Sequence, residues 1–213
     1  MEANYWHRKW AQGDIGFHQG EVNPQLAAHL DKLALAQGAR LFLPLCGKSL
    51  DIHWLLAQGY RVAGAELSPL AISQLFEELG VEPVITEQGP LHRYSAEGID
   101  IWVGDIFTLS AELLGPVDAV YDRAALVALP LEMRRRYAAH LQTITGGAPQ
   151  LLVTFDYDQQ ALAGPPFSVS FDEVSSLYGG GYRVELLSRE GMGNGLRGQV
   201  SCDVLSMLLR PVA

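Results

Sequence analysis

The amino-acid sequence predicts an α/β fold: a doubly wound, mostly parallel sheet of seven strands with an antiparallel edge. Three observations lead there. Short apolar runs alternate with segments of helical periodicity along most of the chain. The stretch Leu41–Glu66 reads as strand, tight turn, helix and strand, the unit from which parallel sheets are built. Near the end, residues 182–188 and 200–209 alternate apolar and polar positions and read as an antiparallel pair joined by the glycine-rich loop 190–198.

Residues 4–12 form a short amphipathic segment in which Trp6 and Trp10 stand four apart on one helix face. The loop GDIGFHQGEVNP, with Phe17 and His18 at its centre, is glycine-hinged and aromatic, as a lid needs to be. Residues 1–23 are therefore expected to fold over a ligand. Pro24 at the first helical position behind Asn23 opens a helix extending to Ala36. Leu41–Leu45 is a buried strand closed by a turn at Cys46-Gly47. Ser49 caps the next helix, Asp51 sits in its first turn, and Gly59 stops it. Arg61–Ala65 is a strand with Glu66 at its carboxyl end, and Ser68-Pro69 start a helix that Gly80 ends. Residues 81–98 read as irregular chain with a small hairpin around Ser95–Gly98.

Ile99–Val103 is a strand, Ser110–Leu114 a short helix, and Val117–Tyr121 a strand running into Asp122-Arg123. Leu131–Ile144 is a helix with Arg134, Arg135 and Arg136 expected on its solvated face. Leu151–Phe155 is a strand, Gly164-Pro165-Pro166-Phe167 a rigid turn, and Phe171–Tyr178 a helix. No repeat or linker divides the chain, so one domain is expected over 1–213.

Composition narrows the function. At 213 residues with 48 % hydrophobic content, the chain can bury a large core. A formal net charge of −9 argues against nucleic acid as a partner, since phosphate binding needs a basic face. No apolar run is long enough to span a membrane, and MEANYWHRKW lacks the apolar region of a signal peptide. Two distant cysteines, Cys46 and Cys202, fit a reducing compartment, and each reads as a small packing residue. A cytoplasmic monomer is expected. The six histidines show no metal-ligand spacing, so no metal is expected.

Polar or turn residues end four strands on what should be one rim: Leu45-Cys46-Gly47, Glu66, Asp105 and Asp122-Arg123. Ligands of doubly wound sheets bind there. Gly47-Lys48-Ser49 fails as a phosphate loop, because that motif needs a glycine where Phe42 stands. A dinucleotide fingerprint also fails, having one of three glycines. Glu66 lies nineteen residues after Gly47, the spacing at which an acid reaches ribose hydroxyls held over the first turn. A ligand with a ribose and no pyrophosphate fits best. Asp105 could meet a base edge or merely end a strand. Arg123 is well placed for a carboxylate or an anionic substrate.

LFLPLCGKS, VAGAELS, DRAALVAL at 122–129, GPPF at 164–167 and the amino-terminal WHRKW…GFHQG resemble thiopurine S-methyltransferase in its shorter bacterial form, over nearly the whole chain. The resemblance implies a class I, Rossmann-like methyltransferase fold with S-adenosyl-L-methionine as cofactor. It implies S-methylation of aromatic and heterocyclic thiols in xenobiotic detoxification; some bacterial members are associated with selenium and tellurium compounds. By motif, Trp10 would lie over the cofactor, and Leu45 would contact its methionine part through the backbone. Glu66 would bind the ribose hydroxyls, and Asp105-Ile106 would flank the adenine. Asp122 and Arg123 would face the methionine end and the thiol. A second substrate-facing arginine is expected from the loop 190–198, where Arg197 stands. The alternatives on the same fold are a noncatalytic nucleoside-binding protein and a nicotinamide-dependent oxidoreductase.

Overall fold

The computed structural model describes residues 3–212, so Met1 and Glu2 of the expected lid and Ala213 lie outside the described residues. Helix α1 (Ala3–Ala11) precedes a loop to α2 (Pro24–His29), which continues as a 3-10 turn, Leu30–Leu33. The chain then alternates through β1 (Arg40–Pro44), α3 (Leu50–Ala57), β2 (Arg61–Glu66) and α4 (Pro69–Leu79). A hairpin of β3 (Val84–Gln88) and β4 (Leu91–Ala96) leads into β5 (Ile99–Val103). Next come α5 (Ala111–Leu114), β6 (Ala119–Arg123), α6 (Leu131–Thr145) and β7 (Gln150–Tyr157). Helix α7 (Phe171–Tyr178), β8 (Tyr182–Gly191) and β9 (Cys202–Pro211) complete the described chain.

The strands form one sheet in the order β3-β4-β5-β2-β1-β6-β7-β9-β8. The five neighbours β5, β2, β1, β6 and β7 are parallel to one another. Both flanks are antiparallel. The expected seven strands are thus corrected to nine. The extra pair, β3 and β4, comes from the stretch read as irregular, and its turn falls at Gly89-Pro90. Little apolar patterning marks β3 because it lies at the sheet's outer edge, with Val84 67 % and Ile85 53 % exposed. A polar contact helps fasten the hairpin. Arg93 on β4 donates two hydrogen bonds to one carboxylate oxygen of Asp100 on β5, at 3.0 and 2.7 Å.

Helices cover both faces, as a doubly wound sheet requires. Ile52, Leu55, Ile72, Leu75 and Phe76 of α3 and α4 pack on one face with Leu26 of α2. Tyr137, Ala138 and Leu141 of α6 pack on the other with Val174 and Tyr178 of α7. Fully burying one such aliphatic side chain contributes roughly 1.5–3 kcal/mol. The side chains of Asn23, Ser49, Ser68 and Ser170 each accept a main-chain N–H at a helix start. One expectation fails on α6. Arg134 is not solvated; it is 5 % exposed and paired with Glu173 on α7 at 2.8 Å. Arg135 and Arg136 of the triplet do stay exposed.

Candidate active site

The sheet reverses its strand order at β1: β2 and β5 lie to one side, β6 and β7 to the other. The crevice above such a reversal is where ligands bind in this architecture. Two of the four non-glycine residues with left-handed backbone among those described sit at its mouth. They are Leu45 at φ +47°, just after β1, and Ala124 at φ +64°, just after β6. That conformation strains a side-chain-bearing residue, and such strain gathers at functional sites. Leu41 pairs with Ala119 and Phe42 with Val120, and the same register carried onward sets Leu45 beside Arg123.

Glu66 ends β2 on this rim. It is 6 % exposed, and its two oxygens accept N–H bonds from Gly47 and Ser68, both at 2.9 Å. Burial pushes its carboxyl pKa up, and the surrounding amides oppose the shift. An ionised carboxylate offers about four acceptor sites, so capacity for two hydroxyl donors remains. Gly47 has φ +51°, and a Cβ there would lie 3.0 Å from the Trp10 ring. A side chain at 47 would thus crowd the indole. Trp10 is 5 % exposed. Phe17 packs edge-on against Trp6 and Trp10, at 5.7 and 5.5 Å between ring centroids. Lys48 turns to Glu78, 2.6 Å away, in keeping with the failed phosphate-loop motif. Burial, then the charge of Glu66, pushes the Cys46 thiol pKa well up, which suits packing and not nucleophilic attack.

Arg123 is half-buried at the end of β6, and its side chain makes no hydrogen bond or ion pair among the described residues. Its neighbour lies elsewhere than expected. Asp122 does not face the crevice; it is 0 % exposed and sits beneath the rim. It accepts the Tyr137 hydroxyl at 2.7 Å and the Leu126 N–H at 3.1 Å, and burial raises its pKa to about 6. Strand alternation explains the correction, because successive side chains point to opposite faces. Asp105 is exposed and caps a 3-10 turn by accepting the Phe107 N–H at 3.0 Å. Ile106 is buried behind it. Arg197 is exposed and donates to the Pro165 carbonyl at 2.6 Å, which ties the loop after β8 to the GPPF turn.

Sequence reasoning missed two residues here. Burial lowers the pKa of His18, and the nearby cations Lys48 and Arg123 add to this, so its imidazole is mostly neutral at pH 7. Its only sequence signal is its place in the aromatic loop. Asp51 is more than a first-turn acid. It is buried and accepts the Asn23 N–H at 2.7 Å and the Tyr121 hydroxyl at 3.1 Å, which pins the end of the amino-terminal loop to the sheet.

Comparison with known proteins places the chain in a family. The sequence matches the family model of thiopurine S-methyltransferase over residues 1–204. A thiopurine S-methyltransferase of Xanthobacter autotrophicus is 56 % identical over 93 % of this chain and 94 % of its own. One from Teredinibacter turnerae is 49 % identical, with 94 % of each chain covered. Among solved structures, magnesium protoporphyrin IX methyltransferase from Synechocystis with bound S-adenosylhomocysteine superposes with a TM-score of 0.64 at 14 % identity, covering 98 % of this chain and 100 % of that one. The chain belongs to the thiopurine S-methyltransferase family and is an S-adenosyl-L-methionine-dependent methyltransferase. That membership displaces both the oxidoreductase and the noncatalytic alternatives.

Proposed function

We propose that this family member transfers a methyl group to the sulfur of aromatic and heterocyclic thiols, thiopurines among them. The observation that carries the reading is Arg123, a guanidinium with no hydrogen-bond or ion-pair partner among the described residues, half-buried at the crevice between β1 and β6. The residues around it suit a cofactor with a ribose and no phosphate. Glu66 has acceptor capacity left for the two ribose hydroxyls. Gly47 leaves its turn open under Trp10, whose indole face can stabilise a cation by roughly 0.5–2 kcal/mol. Leu45 offers backbone groups to the methionine part, and Ile106 an apolar edge to the adenine. S-adenosyl-L-methionine supplies a methyl group on a sulfonium, already activated for displacement. The protein therefore has to align the thiol and exclude water, and a strong general base is not required.

Arg123 favours the thiolate over the thiol, since a nearby cation stabilises the charged form. Arg197, at the GPPF turn, is the second substrate-facing arginine. Residues 1–23 serve as the lid. Support comes from Phe17, packed on two tryptophans, and from the Asn23–Asp51 anchor at the far end of the loop. Selenium and tellurium compounds extend the same chemistry to softer nucleophiles. The chain acts as a cytoplasmic monomer in this reading. The test is Arg123→Ala, assayed with a panel of aromatic thiols. We expect kcat/KM to fall about 10- to 100-fold, the value of one charge-assisted contact. The loss should be largest for thiols that carry an acidic group. Unchanged kinetics would remove Arg123 from the site.

A further inference from the structure

Asp122 is a costly residue for its place. A carboxylate with no exposure has lost its hydration, and burial dominates its raised pKa. A neutral Asn or Ser could also cap a turn. What distinguishes the site is what the carboxylate joins. One oxygen accepts the Leu126 N–H at 3.1 Å, four residues along, and so closes the turn that follows β6. The other accepts the Tyr137 hydroxyl at 2.7 Å, from the middle of α6. Inside that closed turn, Ala124 holds a left-handed backbone at φ +64°. Arg123 lies between the clamped aspartate and the strained alanine, and its own guanidinium is tied to nothing among the described residues.

We propose that the buried Asp122–Tyr137 pair is a positioning device for Arg123. It fixes the backbone on both sides of the arginine, so the guanidinium is aimed at the crevice without an ion pair that would neutralise it. An acid that touched the guanidinium would hold it equally well but would cancel the field the thiolate needs. Here the acid acts through the main chain. Tyr178 on α7, whose buried hydroxyl has no hydrogen-bond partner among the described residues, and Tyr121 on β6 also lie near enough to feel the charge of Asp122. The inference rests on the role of Arg123 given under Proposed function and deepens it.

The test is a double-mutant cycle in the full chain between Asp122→Asn and Arg123→Ala, with Tyr137→Phe as a second variant. Asn keeps an acceptor for the Leu126 N–H and replaces the other oxygen by an amide group. Tyr137→Phe removes one hydroxyl and keeps the ring in place. Each single variant should lower kcat for an aromatic thiol, about 10-fold for Asp122→Asn and about threefold for Tyr137→Phe. KM for the thiol and the calorimetric affinity for S-adenosylhomocysteine should stay within about threefold of wild type. Adding Asp122→Asn to Arg123→Ala should cost less than a further twofold. Multiplying losses would overturn the proposal, as would a wild-type kcat in Asp122→Asn. A second readout needs no activity: side-chain NMR order at the Arg123 Nε–H should fall in Asp122→Asn and Tyr137→Phe. Equal order in all three proteins would overturn the positioning role. If that order falls as expected while the wild type methylates no thiol, only the functional reading fails.

Discussion

Glu66 ends β2 and Asp122 stands one residue before the end of β6, the two strands that flank β1 on opposite sides. Both acids are buried, both accept main-chain N–H bonds from turns at the rim, and burial raises the pKa of both. They differ in what else they hold. The hydrogen-bond partners of Glu66, Gly47 and Ser68, belong to the turns after β1 and β2, and the residue keeps a small exposed edge. Asp122 is clamped from below by Tyr137 of α6 and exposes nothing. A strand-end acid in this architecture is therefore not a ligand group by position alone. It becomes one when its partners leave acceptor capacity at the surface.

The largest effect should separate the two acids by affinity. Glu66→Ala should weaken calorimetric binding of S-adenosylhomocysteine about 100-fold or more, since hydrogen bonds to a charged group are worth about 1.5–3 kcal/mol each. Asp122→Asn should leave that affinity within about threefold. Equal losses would erase the distinction.

The next effect is on stability, and its sign follows from the raised pKa. Asp122 goes from 3.8 when unfolded to about 6 when folded, so the protonated form is favoured in the native state. Its favourable contribution is fully present below 3.8 and is lost as pH rises through about 6. A rise of that size corresponds to about 3 kcal/mol as an order of magnitude. Asp122→Asn removes this dependence. Its melting temperature relative to wild type should therefore be higher at pH 8 than at pH 4, as calorimetric scans would reveal. A pH-independent difference would mean that Asp122 is not the titrating group.

The smallest effect tests the third strand-end acid. Asp105 is exposed and engaged as a cap. Asp105→Ala should cost about 1 kcal/mol in urea denaturation, the usual worth of a cap. Its effect on S-adenosylhomocysteine affinity should stay below about threefold. A larger loss would move Asp105 from scaffold to cofactor contact.

The parallel half of the sheet could be read from the chain because local signals agree there. Leu41–Leu45 is continuously apolar, Ser49 and Ser68 are caps, and Gly47 precedes Glu66 by a spacing with a geometric meaning. The hairpin β3–β4 could not. Its outer strand is mostly exposed, so burial never imposed an alternation on VITEQ. The inward turn of Arg134 escaped for a different reason. Its partner, Glu173, lies on another helix far along the chain, and within RRR nothing distinguishes the first arginine. Asp122 and Arg123 stand side by side in sequence, and only the direction of the strand's pleat sends one to the core and the other to the rim. Motif reasoning treated them as a pair; packing separates them. His18 was visible as part of an aromatic loop, but its nearness to Arg123 depends on how that loop folds back.

The outer edge of β3 carries a consequence for how these molecules behave in company. Among the described residues its outward main-chain groups have no neighbouring strand, and Val84 and Ile85 stand beside them in solvent. Such an edge is a template on which a second molecule can extend the sheet. The net charge of −9 works against that meeting, since like-charged bodies repel before their edges can register. This protection is colloidal and not built into the strand. It weakens with added salt and as surface carboxylates take up protons, so crowding in mildly acidic, high-salt solution is where the chain is most exposed to self-association.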